Sequence, residues 1–267
     1  MKKVKFRCGW GKNPKQLTQC YSSMAPNNKP EWKNICATEE DPDYFIAFQV
    51  PNFSKPNTIH FRREPDRIKK WPKSVNGDNV YDYSTKEKFH VCTWHLTKSY
   101  DELQRLKYSK KNKISAICSN KYKWRMDYIK STMSNNKNIL GIGRGINGKF
   151  SSYEDRSDLI TNSSMSICIE NSSQPNYFTE KIIDALLAWC MPLYWGCPNI
   201  GDFFPEGSYR LIDIENPDSV TDLINQPITA SEIDAMHEAR NLILNKYNIW
   251  ECIYKTLNKL EEVYIYV

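Results

Sequence analysis

The sequence lacks any apolar run long enough to cross a membrane. The longest, Ile182 to Tyr194, is interrupted by Asp184 and Pro192 and falls short of the ~20 residues that a spanning helix needs. Behind the lysines of Met1 to Gly11 there is no apolar stretch of roughly 7 to 15 residues, so no secretory signal is expected and the chain is read as soluble and intracellular. The sequons at Asn52, Asn162 and Asn171 then carry no weight, because glycosylation needs a secretory route. Nine cysteines are scattered with no CxxC pair, and their odd number argues against a disulfide scaffold or zinc cluster. They read as small core residues. No internal repeat and no low-complexity segment is present. The formal charge is +6, yet the lysines form no stripe of the kind a nucleic-acid binder shows. A mild positive bias suits a phosphorylated substrate as well as plain solubility.

What is present is the composition of a globular protein, with 40% apolar and 25% charged residues over 267 positions. That length fits two lobes, each with its own core. Tyr44 to Val50, rich in aromatic and β-branched residues and bounded by Pro42 and Pro51, predicts a buried strand. Thr58 to Phe61, Phe89 to Thr93, Ile114 to Cys118 and Asn138 to Ile142 predict further strands, with helices over Tyr100 to Tyr108 and Lys123 to Met133 between them. In the second half, a strand at Ser166 to Glu170, an apolar helix at Thr179 to Cys190 and a strand at Pro192 to Trp195 make a βαβ unit. Such alternation predicts parallel α/β architecture. Ser231 to Asp234 matches a capping box ahead of a helix to about Tyr247, and a further helix follows from Asn248 to Val263. The lysine-rich stretch Lys107 to Lys113 marks the expected boundary, giving lobes over residues 1–110 and 111–267.

Chemistry concentrates after the strand that ends at Glu170. A polar loop carries Asn171 and Tyr177, Thr179 is placed to cap the next helix, and Glu180 and Lys181 open it. A helix N-terminus with free backbone N–H groups and a lysine in its first turn suits a diphosphate. On its own, the same pattern is also an ordinary dipole-matched helix start.

Cys168-Ile169-Glu170-Asn171-Ser172, then Tyr177-Phe178-Thr179-Glu180-Lys181, then Pro192-Leu193-Tyr194-Trp195-Gly196 resembles the donor-site signature of the alpha-1,3-fucosyltransferases. Upstream, Cys118-Ser119-Asn120 with Arg125, and Asn138 to Gly145, are similar to that family's Ser-Asn strand end with its diphosphate-gripping arginine and to its Gly-Arg-Gly strand. The resemblance runs from about Asp43 to the C-terminus and is least specific before Ile114. The loop Ser172 to Asn176 departs from the family's glycine or charged residues, which bears on how the donor is held.

The resemblance implies two Rossmann-like lobes facing each other across a cleft (GT-B type), with C-terminal helices. It implies inverting transfer of L-fucose from GDP-fucose to a glycan hydroxyl, with the acceptor lobe first and the GDP-sugar lobe second. Arg125, Asn171, Tyr177, Glu180 and Lys181 would bind the donor. Glu64, in Phe61-Arg62-Arg63-Glu64-Pro65, would be the general base; its bland alternative is an exposed glutamate in a charged loop. No cofactor or metal would be required beyond the GDP-sugar itself. Two alternatives stay open: a transferase of the same fold using another nucleotide sugar, and a non-catalytic GDP- or glycan-binding relative.

Three other patterns suggest different chemistry. Gly143 to Gly148 satisfies GxGxxG, but Lys149 to Arg156 is not helix-periodic and Cys168 stands where an acid belongs, which disfavours a dinucleotide site. Asp41-Pro42-Asp43 has the spacing of a metal-binding acid pair yet precedes its strand. His90, Cys92 and His95 alternate along an expected strand and do not share the face that zinc needs.

Overall fold

The computed structural model describes residues 1–9, 13–48, 50, 53, 55–62, 80–82, 91–109, 111–149 and 151–265. In chain order the strands are β1 (Lys2–Cys8), β2 (Glu31–Trp32), β3 (Ile35–Ala37), β4 (Tyr44–Phe48), β5 (Thr58–Arg62), β6 (Val80–Asp82), β7 (Lys113–Ile117), β8 (Ile139–Ile142), β9 (Ser163–Ile169), β10 (Met191–Trp195) and β11 (Arg210–Leu211). The chain divides into two compact units. One comprises residues 1–91, 99–102 and 245–267; the other comprises 92–98 and 103–244.

The first unit is built on a sheet ordered β2-β3-β1-β4-β5-β6, in which, among the described residues, only the short β2–β3 pair is antiparallel. In β1, Val4 and Phe6 turn inward while alternate positions stay at least partly exposed, the period of two that a strand imposes. Its core is aromatic: Phe6 meets Tyr21 edge-on at 4.8 Å and Trp250 at 5.6 Å, and Phe48 stacks on Phe61 at 5.3 Å. The C-terminal helix Ile249–Ile265 belongs here. Trp250 is fully buried and its indole N–H donates to the Tyr21 carbonyl, while Asn248 donates to Met24 and accepts from the Trp250 N–H, closing the helix start. Helical periodicity alone does not say which core a terminal helix joins; these contacts do.

The second unit carries a parallel sheet ordered β11-β10-β9-β7-β8. Strand β9 is buried along nearly its whole length, as expected of a parallel strand covered on both faces. The helix Glu180–Leu187 buries Ile182, Ile183, Ala185, Leu186 and Leu187. Its C-terminal carbonyls are met by Arg240, which donates to Leu186 and Leu187, and by Lys111, which donates to Ala188.

Several expectations need correction. Cys92 is an isolated bridge rather than part of a strand, and Phe89 and His90 lie outside the described residues. The polar stretch after Gly148 leads into a helix, Tyr153–Thr161, started by a reciprocal Ser152–Asp155 capping box. The later box is Thr229–Glu232, two residues upstream of Ser231–Asp234, and it opens the helix Ala230–Asn241. A π-helical turn, Leu242–Lys246, then interrupts the run before the terminal helix. Among the described residues no helix is long and apolar enough to cross a membrane.

Candidate functional site

In the second unit, β7 is followed outward by β8 on one side and by β9, β10 and β11 on the other, so the strand order reverses between β7 and β9. At such a switch point the connections leave in opposite directions and open a crevice outside the strands' carboxyl ends. A pocket of about 280 Å³ lies there, and Ser119, Arg125, Cys168, Glu180, Lys181 and Asp184 are among its lining residues.

The first two glycines of the GxGxxG pattern serve packing. A Cβ on Gly143, at φ 109°, would lie 2.5 Å from the Cys118 carbonyl oxygen, and one on Gly145 would lie 2.6 Å from that of Ser119. Only bare backbone approaches the end of β7 this closely.

Arg125, 5% exposed, sits in the first turn of the helix Lys123–Asn135. Its guanidinium donates to the Ile169 carbonyl at 3.2 Å, to Asn171 Oδ1 at 2.8 Å and to Ser119 Oγ at 3.2 Å. One cation thereby ties the end of β7 to the end of β9. The Tyr122 ring lies 5.3 Å from the guanidinium.

Across the pocket, Thr179 holds the N-cap position of the helix Glu180–Leu187, but its hydroxyl does not cap it. Oγ1 donates instead to Glu170 Oε2 at 2.7 Å, and Glu170 Oε1 accepts the Thr179 N–H at 2.7 Å. The nearby carboxylate outcompetes the helix's own N–H groups for that hydroxyl because a charged acceptor makes the stronger bond. Lys181 Nζ completes the arrangement, 3.0 Å from Glu170 Oε2, 2.8 Å from Thr179 Oγ1 and 3.3 Å from Glu180 Oε1. Burial alone would lower the Lys181 pKa, but the charges of Glu170 and Glu180 outweigh it and hold the ammonium above its ordinary range.

Of the residues singled out from sequence, Arg125, Glu180 and Lys181 come together around one pocket, and Asn171 joins them through its bond to Arg125. Tyr177 is 1% exposed in the loop between β9 and the helix and is not among the pocket-lining residues. Glu64 lies outside the described residues.

Glu170 stands in the signature without a role of its own, and Asp184 figures in the sequence only as a break in an apolar run. Glu170 is fully buried just after β9, and the pattern of that strand, buried along nearly its whole length, gives no sign that the next side chain turns back onto the following helix. Asp184, one turn beyond Glu180, accepts the His95 N–H at 2.9 Å. Burial pushes its carboxyl well up, against the pull of the His95 and Leu96 N–H groups. Its hint was an acid in an otherwise apolar helix face. Burial also pushes up the Cys168 thiol, and that of Cys190 to about 12, so neither is a poised thiolate. Asp43 Oδ2 accepts the Lys3 N–H at 2.7 Å, a structural use of the Asp41–Asp43 pair. Among the described residues no group of three or more His, Cys, Asp or Glu side chains is arranged to hold a metal ion.

Against known proteins, the family model described as "Glycosyltransferase family 10 (fucosyltransferase) C-term" matches residues 107–262, more than half of the chain. The Helicobacter pylori protein "Alpha-(1,3)-fucosyltransferase FucT" is 33% identical over 72 residues, 27% of this chain and 15% of that protein. The Drosophila melanogaster "Alpha-(1,3)-fucosyltransferase B" is 34% identical over 62 residues, 22% of this chain and 14% of its own length. The matches therefore span about a seventh of each of these relatives. A crystal structure of an alpha1,3-fucosyltransferase covers 97% of this chain and 90% of its own at a TM-score of 0.52 and 15% identity, a likeness of fold.

Proposed function

The chain belongs to glycosyltransferase family 10, the fucosyltransferases, and from that premise we propose that it moves L-fucose from GDP-fucose onto a glycan hydroxyl, with inversion and in an alpha-1,3 sense. The observation that carries the reading is the placing of Arg125 and Lys181 at the carboxyl ends of β7 and β9, lining one pocket at the point where strand order reverses. Departure of GDP concentrates negative charge on its terminal phosphate. Preorganised cations and helix N–H groups in a partly buried pocket stabilise that charge more in the transition state than in the bound donor.

In this reading Lys181 and Arg125 face the diphosphate, and Asn171, Tyr177 and Glu180 complete donor binding. Glu64 removes the proton of the acceptor hydroxyl as that oxygen attacks the anomeric carbon and the bond to GDP breaks. The two cations supply the charge that a metal would otherwise bring, so transfer proceeds in excess EDTA.

The donor is tested by thermal stabilisation, because a ligand that binds only the folded state raises apparent stability by mass action. GDP and GDP-fucose are expected to raise Tm more than UDP- or CMP-sugars do; equal shifts overturn the donor assignment. Configuration at the transferred carbon, read by NMR of the product, tests inversion. Replacing Glu64 by Gln is expected to lower turnover by roughly 10² to 10⁴ with GDP affinity unchanged. Full turnover in that variant together with its loss in Asp66→Asn would move the base to Asp66. GDP binding with no transfer to any glycan acceptor would identify a non-catalytic relative.

A further inference from the structure

The ammonium of Lys181 has three donors, and three side-chain oxygens receive them. The three are not equivalent. Glu170 is fully buried at the end of β9, anchored on its other oxygen by the Thr179 N–H. Thr179 Oγ1 accepts from Lys181 while donating to Glu170, so lysine, hydroxyl and carboxylate close a three-membered ring of contacts at 2.7 to 3.0 Å. Glu180 makes the longest of the three contacts, at 3.3 Å, from a side chain that is 28% exposed on the pocket rim. A phosphate oxygen arriving in the pocket has a direct exchange open to it on that side and none on the Glu170 side.

We propose that Glu170 is the positioning residue that fixes the Lys181 ammonium for the donor diphosphate, with Thr179 as the bridge between them and Glu180 as the partner that the diphosphate replaces. The proposal rests on the reading of Lys181 as a diphosphate ligand. The physical need is plain: a lysine head group on a four-carbon stem has much rotamer freedom to lose, and a charge held in place before the donor arrives loses none of it during the reaction. Besides Glu170 and Glu180, Arg125 acts on Lys181 and opposes its charge, while Lys181 in turn acts on Asp184 and Cys168.

Two readouts test the proposal together. One is the rate at which an amine-reactive probe labels Lys181, followed by mass spectrometry of the whole chain with and without GDP. The other is steady-state transfer from GDP-fucose. Glu170→Gln keeps an acceptor for the Thr179 N–H but removes the charge, so Lys181 is expected to label about tenfold faster, as for a pKa lowered by one unit. Turnover is expected to fall roughly tenfold or more while KM for GDP-fucose stays within about threefold. Thr179→Val, at a half-buried position, removes the bridge without placing an altered charge in the core. It is expected to move both readouts in the same direction, and Thr179→Ser is expected to restore them. If Glu170→Gln does not fold, Thr179→Val and Thr179→Ser decide the matter. Wild-type labelling in both Glu170→Gln and Thr179→Val overturns the proposal, and so does faster labelling with unchanged turnover. Protection of wild-type Lys181 by GDP is a separate outcome: its absence removes the donor reading of Lys181, while the labelling rates of the variants still decide whether Glu170 holds it.

Discussion

Two clusters in the second unit combine a threonine, a glutamate and a cation at a helix start, and they do different work. Around Thr229, Glu232 and Arg210, the guanidinium makes a two-pronged bond to the Glu232 carboxylate, at 2.9 Å from both Nε and Nη2. Its remaining donors go to the carbonyls of Leu223, Gln226 and Pro227. Around Thr179, Glu170 and Lys181 every partner of the cation is a side chain, and the cation lines a pocket. A cation saturated by backbone carbonyls cannot turn to a ligand without leaving buried C=O groups unmet, which costs about 1–3 kcal/mol each. One held by side chains can exchange a partner. The same residue types are thus a brace in one place and a site in the other, and the identity of the acceptors separates them.

The comparison breaks first at the two cations. Arg210 is 7% exposed, and its replacement by Ala takes the cation from the Glu232 carboxylate and strands three carbonyls. The expected cost is about 3–5 kcal/mol of stability in denaturant melts, with GDP still stabilising whatever fraction remains folded. Lys181→Ala is expected to lower turnover on the order of 10², about 2.7 kcal/mol in the barrier. It also lowers Tm, because Glu170 is left buried without its cation. Turnover is therefore measured well below both melting temperatures. Near-wild-type turnover in Lys181→Ala would place the donor elsewhere and erase the distinction between the clusters.

Much of this arrangement was legible in the sequence, for reasons that can be located. Strands β4 and β10 and the helix Glu180–Leu187 announce themselves because long apolar or β-branched runs have few other uses, and Ile167 to Ile169 marks the end of β9 while Ser163 and Ser164 leave its start unmarked. The resemblance at Cys118 to Arg125 and around Glu170 to Gly196 points to Arg125, Glu180 and Lys181, which the structure gathers around one pocket. Strand β1 is not apparent from the sequence although Val4 and Phe6 alternate with Lys3, Lys5 and Arg7, because basic residues on the outer positions dilute its apolar character. The helix Tyr153–Thr161 has little apolar periodicity, yet its Ser152–Asp155 box carried the start signal. The bond between Thr179 and Glu170 was out of reach for a different cause. Which acceptor a hydroxyl chooses is a matter of tertiary distance, and propensity favours Thr179 as an ordinary cap.

A smaller effect sharpens the comparison at the threonines. Thr229 Oγ1 accepts the Glu232 N–H at 3.2 Å, an N-cap bond that Thr179 does not make. Thr229→Ala is expected to lower stability by about 1 kcal/mol and to leave turnover and GDP-induced stabilisation as in the wild type. Calorimetric melts and a transfer assay on the same preparation check both halves. A loss of turnover in Thr229→Ala would mean that the two clusters communicate.

The smallest expected effect lies on the pH axis, where the clusters fall at opposite ends. Burial alone would raise the Glu232 carboxyl, but the Arg210 guanidinium and the Thr229 N–H outweigh it and hold the carboxyl below its usual range. A depressed folded-state pKa means that the unfolded chain takes up the proton first as pH falls. The stabilisation from Glu232 is therefore complete above the ordinary glutamate range near ~4.3 and is lost as pH falls through the lower folded value. Lys181 is shifted the other way, so its contribution is complete below the ordinary lysine range and is lost only as pH rises through the higher folded value. In Glu232→Gln the side chain no longer titrates, and the stability difference from the wild type is expected to shrink steadily as melts are taken from neutral pH down through the acid range. The pH profile of turnover is expected to be unchanged in the same variant, because Glu232 is not among the residues lining the pocket. A stability difference that stayed constant with pH would show that Arg210 does not favour the charged carboxylate in the folded chain. The brace would then rest on the carbonyls of Leu223, Gln226 and Pro227 rather than on the ion pair.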